Sequence, residues 1–294
     1  MSERDQAALG QCEVGLQHMW KGEVDEALAA YDLAFALATA EDTRELITIR
    51  KAEALIAVER DGPEVAALAA IVMRRRSSRH VYLAANALVP RFTNADDRRR
   101  AIFYGEIAKS AVEELGDPFA HAALLNNVGV VLVEDSQFDR AIELLAEALA
   151  VLETLPESHP YADSLRCNAT LNLGGAKILA DAYDEGIELI ESVILEVEDA
   201  TWRADGLLDL GLGYLNIGDI DTAEELVREA LALASTRRQI RNGNHLLGEI
   251  CMRTERWEEA DIHFDVVAGF YPGFKNLKQL LTAVDVCKIV NWKL

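Results

Sequence analysis

The side chains of this sequence that could do chemistry are scattered. Cys12, Cys167, Cys251 and Cys287 stand far apart and none forms a CxxC pair, so they are expected to be reduced thiols buried as small hydrophobes. Six histidines, His18, His80, His121, His159, His245 and His263, include no pair at metal-ligand spacing and none beside a cysteine. Asp261 and His263 are two positions apart, which points them to different faces of a helix. Gly211-Leu212-Gly213 begins a GxG, but it follows a helical pattern rather than a strand and lacks a third glycine. Gly174-Gly175-Ala176-Lys177 lacks the upstream glycine and the following hydroxyl of a phosphate loop. The expectation is therefore no catalytic centre, no metal and no cofactor. What does recur is the side-chain amide, at Asn126, Asn127, Asn168, Asn172, Asn216 and Asn242. Asparagine is an indifferent helix former, so its recurrence in helical segments is costly. Each amide carries a donor and an acceptor, and can pair with the N–H and C=O of an extended peptide whatever that peptide's side chains are.

Composition sets the elements that must position these groups. Half of the 294 residues are apolar and 6% are aromatic, enough to bury a large core. Acidic residues number 50 against 29 basic ones, a net charge of −21, which opposes general binding to nucleic acid. No window approaches the length of a membrane span. Glu3 and Asp5 stand where an export signal needs basic charge, so the protein is expected in the cytoplasm.

Helix-period segments follow one another with short breaks and no alternating strand pattern. Five glycines share one spacing. After Gly129 come Ala141, Leu145 and Ala148 at twelve, sixteen and nineteen residues. After Gly211 come Ala223, Val227 and Ala230, and after Gly248 come Ala260, Phe264 and Val267. Gly15 leads to Ala27, Tyr31 and Ala34, and Gly174 to Gly186, Ile190 and Val193. A mid-helix glycine costs about 1 kcal/mol relative to alanine, so close approach of a second helix is expected at each, with the glycine facing the small residue twelve positions on. Gly22, Ser136, Asp181 and Gly218 supply turns, and an acidic residue follows in the first turn of each second helix, where the macrodipole favours it. Ala54, Ala66 and Met73 supply a further copy without glycine. Val89, Ala101 and Ala108 supply another, interrupted by Pro90 and by Asn94 to Arg100.

This pattern, best seen in Val128 to Leu152 and Leu210 to Ala234, resembles the tetratricopeptide repeat. The longer 45-residue step from Gly129 to Gly174 carries Leu155 to Leu165, which resembles the inter-repeat segment of kinesin-light-chain-type repeats, with Pro156 and Pro160 ending a helix. The resemblance implies an all-α, right-handed superhelical solenoid of about seven antiparallel helical hairpins in a single domain, 1–294. The weak repeats fall at about 47–115, the clear ones at about 8–41 and 122–270, and a capping helix at 275–294. It also implies a concave groove lined by the first helices. Asn126, Asn127, Asn168, Leu171, Asn172, Leu208, Asp209, Leu212, Asn216, Asn242, His245 and Met252 would face it, with Leu171, Leu208, Leu212 and Met252 as apolar pockets. Peptide-responsive bacterial regulators built on such repeats use groove asparagines in this way. The alternative is that these amides merely solvate an open surface.

The implied function is a non-catalytic scaffold that holds an extended peptide or a partner protein in this groove. The alternative is a peptide- or ligand-responsive regulator that acts on a partner protein of a signalling or transcription pathway. Asp205, Asp209 and Glu249 would repel the carboxylate tails that some family members clamp. On the first helix, Leu9, Cys12, Leu16, Met19 and Trp20 form an apolar face, read either as a docking strip or as an end covered by residues 1–8 or a second copy. The apolar end of the tail, Ile289, Val290 and Trp292, offers another route to a homodimer. Arg74 to Arg100 holds eight arginines against two aspartates, read as cations at a helix end and a polar loop, with an anionic partner as the alternative.

Overall fold

A computed structural model describes residues 1–95, 97–156 and 158–283. Every regular element among them is a helix. Fourteen pair as antiparallel hairpins: α1 (Glu3–Trp20) with α2 (Val24–Leu37), α3 (Glu41–Ala57) with α4 (Pro63–Arg74), and α5 (Ser78–Asn94) with α6 (Arg98–Leu115). They continue with α7 (Pro118–Glu134) and α8 (Phe138–Glu153), α9 (Ala162–Leu179) and α10 (Tyr183–Glu191), α11 (Ala200–Ile217) and α12 (Ile220–Leu233), and α13 (Arg237–Arg253) and α14 (Trp257–Gly269). A last short helix, α15 (Leu277–Ala283), buries Leu277 and Leu281 against Cys251, Ala260, Phe264 and Val267. The apolar end of the tail, with Ile289, Val290 and Trp292, lies outside the described residues. The chain forms two compact units, Met1–Ala169 and Thr170–Leu294, with the boundary inside α9.

The glycines do what the spacing requires, with one addition. Each of the five notches receives the side chain sixteen residues on, and the small residue at twelve meets it through backbone, as Gly186 does at Gly174 and Ala223 at Gly211. A β-carbon at Gly15 would stand 2.5 Å from the Tyr31 ring, and one at Gly129 would stand 2.7 Å from Leu145. Gly174 meets Ile190, Gly211 meets Val227 and Gly248 meets Phe264 in the same way. The small residue at twelve is buried in the same seam, Ala141 and Ala223 both fully. It lets the helices close, and the larger side chain fills the notch.

The turn inside each hairpin with a notch glycine has a left-handed residue seven positions after the notch: Gly22, Ser136, Asp181, Gly218 and Glu255. Glu59 (φ 54°) belongs to this series and assigns the second repeat to Ala52 rather than Ala54. The expected register there was wrong. Ala66 is exposed and Met73 is 77% exposed, while Val65, Leu68, Ile71 and Val72 form the buried stripe of α4. A longer turn and a non-glycine left-handed residue hid the match. In the third repeat Val89, Ala101 and Ala108 are all fully buried as expected, but Pro90 does not interrupt, because α5 continues through it to Asn94.

Helix starts carry the chemistry that ends a helix cleanly. Ser2, Ser77, Asp97, Asp117, Asp199 and Asp219 each accept a hydrogen bond from a backbone N–H of the first turn. Thr236 and Gln239 form a reciprocal capping box at the start of α13. Five of the eight arginines of the basic segment are paired within the chain: Arg74 on Glu45 at 3.6 Å, Arg76 on Glu41, Arg91 on Asp61 at 2.6 Å, Arg98 on Asp135 at 3.7 Å, and Arg100 on Asp97 at 2.5 Å.

Candidate functional site

The first helices of successive repeats pack side by side in the N-terminal unit: α1 on α3, α3 on α5, and α5 on α7. Their shared face brings the amides together. Asn127 on α7 donates through Nδ2 to Oδ1 of Asn86 on α5 at 3.1 Å. Asn126, 3% exposed, donates to Oδ1 of Asn168 on α9 at 3.0 Å. Two of the expected asparagines therefore sit in an inter-repeat bond with each other. Asn127 is bonded to a residue that the sequence reading missed. Asn86 stands three positions before Val89, as Asn126 stands before Gly129. The register on Val89 carries that signal in the sequence itself.

Asn86 and Asn127 are both half-buried. Their bond uses one of the two amide hydrogens of Asn127 and one lone pair of Asn86, leaving each amide with further donors and acceptors. Beside them the face is polar and tightly tied. Tyr82 on α5, almost wholly buried, donates its hydroxyl to the Ala120 carbonyl of α7 at 2.8 Å. Arg50 and Glu53 on α3 pair at 2.8 Å. Burial opposes the Arg50 charge, but the Glu53 carboxylate overrides it and holds the guanidinium above its ordinary range.

The C-terminal unit presents a different set. Asn172 on α9 and Asp209 on α11 are half-buried. Asp209 presses against α9 where Gly175 leaves room for its carboxylate. Asn216 donates back to the Leu212 carbonyl of its own helix at 2.9 Å, and Asn242 accepts from Arg241 Nε at 2.9 Å. His245 and Glu249, 3% and 2% exposed, lie 3.9 Å apart one turn from each other. Asp205 pairs with Arg238 at 2.8 Å. Tyr214 donates to Glu191 at 2.5 Å, and that bond together with burial pushes its phenol up to about 12.

The expected apolar pockets need correcting. Leu171, Leu208 and Leu212 are 4%, 2% and 3% exposed. They belong to the core, and a second row of glycines makes room beside two of them. Leu171 shares the notch at Gly206 on the next first helix with Ile194, and Leu208 borders the notch at Gly243 that Leu231 fills. These glycines lie five before Gly211 and Gly248. Met252 is half-buried and packs on the Cys251–Phe264 cluster. The first-repeat face is also covered differently from the expectation. Cys12 lies in the core of its own hairpin with Ala8 and Tyr31, Met19 packs against it, and Trp20 packs on Phe119 and Tyr161. Burial pushes the Cys12 thiol up to about 11, as an inert buried cysteine requires.

Among the described residues no group of three His, Cys, Asp or Glu side chains could hold a metal ion, and no helix is long and apolar enough to cross a membrane.

The comparisons agree with this architecture. The family model for the tetratricopeptide repeat matches residues 121–161, which span most of the fourth hairpin. No curated protein matches the sequence. Among solved structures, NprR in complex with its cognate peptide NprX superposes with a TM-score of 0.68 at 14% identity, over 96% of this chain and 83% of that one. A Rap protein complexed with competence and sporulation factor gives 0.69 at 15% identity, over 97% and 79%. The apo form of the quorum sensor NprR from B. thuringiensis gives 0.62 at 16% identity, over 94% and 80%. Aspartyl phosphate phosphatase F from Bacillus subtilis gives 0.51 at 12% identity, over 96% and 78%. The chain thus contains a tetratricopeptide repeat at its centre and has, along nearly its whole length, the all-α repeat fold of proteins built from such hairpins.

Proposed function

We propose that this protein is a non-catalytic scaffold that holds an extended peptide by its backbone, through asparagine amides on the first helices of neighbouring repeats. The observation that carries the reading is the Asn86–Asn127 pair. Two half-buried amides from adjacent first helices lie within hydrogen-bond distance and retain donors and acceptors for a third party. A peptide strand offers N–H and C=O groups in the same plane, and can insert between such amides or bridge them. One protein of this fold is solved with its cognate peptide and another with competence and sporulation factor, which supports the reading.

In the C-terminal unit the half-buried Asn172 and Asp209 are the corresponding candidates. With the leucines committed to the core, selectivity there falls to the polar groups. The segment from Leu155 to Leu165, in this reading an inter-repeat insert of kinesin-light-chain type, sets the spacing between α8 and α9. A second reading, a regulator whose peptide changes its contact with a response protein, is favoured by the quorum sensor of the same fold.

The test uses a pooled library of end-blocked random decapeptides. The wild type is expected to retain a subset of the pool. The Asn86→Ala/Asn127→Ala variant should retain it about tenfold less, for two lost hydrogen bonds of about 1 kcal/mol each partly replaced by water. Its thermal midpoint should stay within a degree or two, because the pair is half solvated. Retention unchanged in the variant, or a large fall in the midpoint, would make the amides structural and remove the reading.

A further inference from the structure

In a stack of hairpins each repeat ordinarily touches only its neighbours. The first repeat of this protein does more. Trp20, the last residue of α1, stacks on Tyr161 just before α9, with ring centroids 5.3 Å apart and planes 14° from parallel. The same indole meets Phe119 of α7 edge-on at 6.1 Å, and Phe119 in turn stacks on His159 at 4.5 Å. The Tyr161 hydroxyl donates to the Glu13 carboxylate of α1 across 148 positions of sequence. All of these residues belong to the N-terminal unit. Two whole hairpins, α3–α4 and α5–α6, are passed over.

The consequence is topological. The row α1, α3, α5, α7 is continuous, and the Trp20 contact joins its first member to its last, so the row closes on itself. The groups between support this. Arg50 of α3 acts electrostatically on Cys12 of α1, Tyr31 of α2, Tyr82 of α5 and Tyr161 at the closure. The charge of one guanidinium is therefore felt on α1, α2 and α5 and at the closure. Its side chain is 17% exposed and that of Glu53 is 23% exposed, low for charges on a first-helix face.

The closure itself is slight. Its rings are half-buried, Trp20 and Phe119 resting on the edge of the Ala122–Leu152–Leu165 cluster, and its hydrogen bond is open to solvent, whereas each hairpin is held by fully buried side chains such as Tyr31 and Leu145. Contacts of that kind open at a small fraction of the cost of unfolding a repeat. We propose that Trp20, Phe119 and Tyr161, with the Glu13 bond, form a clasp that shuts the first-helix face of the N-terminal unit, and that a peptide reaches this face when the clasp opens. The gating half rests on the peptide-binding reading above; the clasp does not. A protein that is mostly shut binds with an apparent affinity reduced by the fraction that is open. Removing the clasp therefore raises affinity.

The experiment compares the full chain with Trp20→Ala/Tyr161→Ala by hydrogen exchange and by binding of the pooled end-blocked decapeptides. Exchange in α1 and α2 should accelerate about tenfold while α7 and α8 keep their protection, and the pool should bind about fivefold more tightly. Tyr161→Phe, which removes only the bond to Glu13, should move both readings the same way by less, and it decides the matter if the double variant does not fold. Unchanged exchange overturns the clasp. Accelerated exchange with equal or weaker binding overturns the gate while the peptide reading stands. A pool that binds neither protein removes the peptide reading and the gate together, and exchange then judges the clasp alone.

Discussion

In the C-terminal unit Gly174, Gly211 and Gly248 recur at 37 residues, and each receives a β-branched or aromatic side chain sixteen positions on. In the N-terminal unit the matching places are Gly15, Ala52, Val89 and Gly129, so two of four have lost the glycine. The hairpins survive because the seam needs a fit of volumes rather than a particular residue. Where Val89 fills the place of the glycine, it packs with Ala101 and Val131. Where Ala52 does, Leu68 and Ile71 lie in the same cluster. The regular unit is built by neighbours alone as far as the repeat pattern describes it. The irregular one adds a long-range contact that no repeat encodes.

Exchanging what each unit depends on tests that contrast. The largest effect is expected at Leu68, fully buried in the second hairpin. Leu68→Ala should cost about 2–5 kcal/mol, read from denaturant midpoints. Met73→Ser, in the same helix and 77% exposed, should stay within about 0.5 kcal/mol. The reverse ranking would restore the register built on Ala54 and break the assignment made from Glu59. Next comes Gly211→Leu, whose side chain would have to occupy the space of Val227. It should cost about 1–3 kcal/mol and, by hydrogen exchange, loosen α11 and α12 while leaving α1 to α6 protected. Loss of protection throughout would show that the two units unfold as one.

These differences also explain what could be read without coordinates. All-α class, seven hairpins and five of the seven registers follow from glycine spacing, because a notch without a β-carbon leaves a mark in composition at a fixed distance from its partner. The second repeat is the hard one because Ala52 stands where five others carry the notch glycine, and its left-handed glutamate gives no turn signal to replace it. The candidate site was half legible. Amide positions follow from helical period, but burial does not: Leu171 and Leu208 read as ligand pockets and are core, Leu171 against Gly206 and Leu208 beside Gly243. The Trp20–Tyr161 stack was out of reach altogether, since nothing local in either segment names the other.

A smaller effect should separate the two ends of the first hairpin. Asp5 is 3% exposed and accepts hydrogen bonds from the Thr39 amide at 2.7 Å, the Ala40 amide at 2.9 Å and the hydroxyls of Ser2 and Thr39. It ties the start of α1 to the turn between α2 and α3. The Ser2 hydroxyl first, then the Ala40 amide and the Thr39 groups, hold its carboxyl well below the ordinary carboxylate range. A carboxyl depressed on folding contributes stability that is complete above its unfolded value of about 3.9 and is lost as pH falls through the folded value. The difference in midpoint between wild type and Asp5→Asn should therefore be flat from pH 7 to about 4.5 and shrink only below that. Comparing the two proteins at each pH removes the general gain expected as acid discharges a chain of net charge −21. The effect should be modest because the rest of the hairpin, Ala8 and Gly15 against Tyr31 and Ala34, remains packed without it. A difference that instead vanished between pH 7 and 5 would mean that Asp5 is not held in this network, and that the first hairpin is anchored by the clasp at its far end.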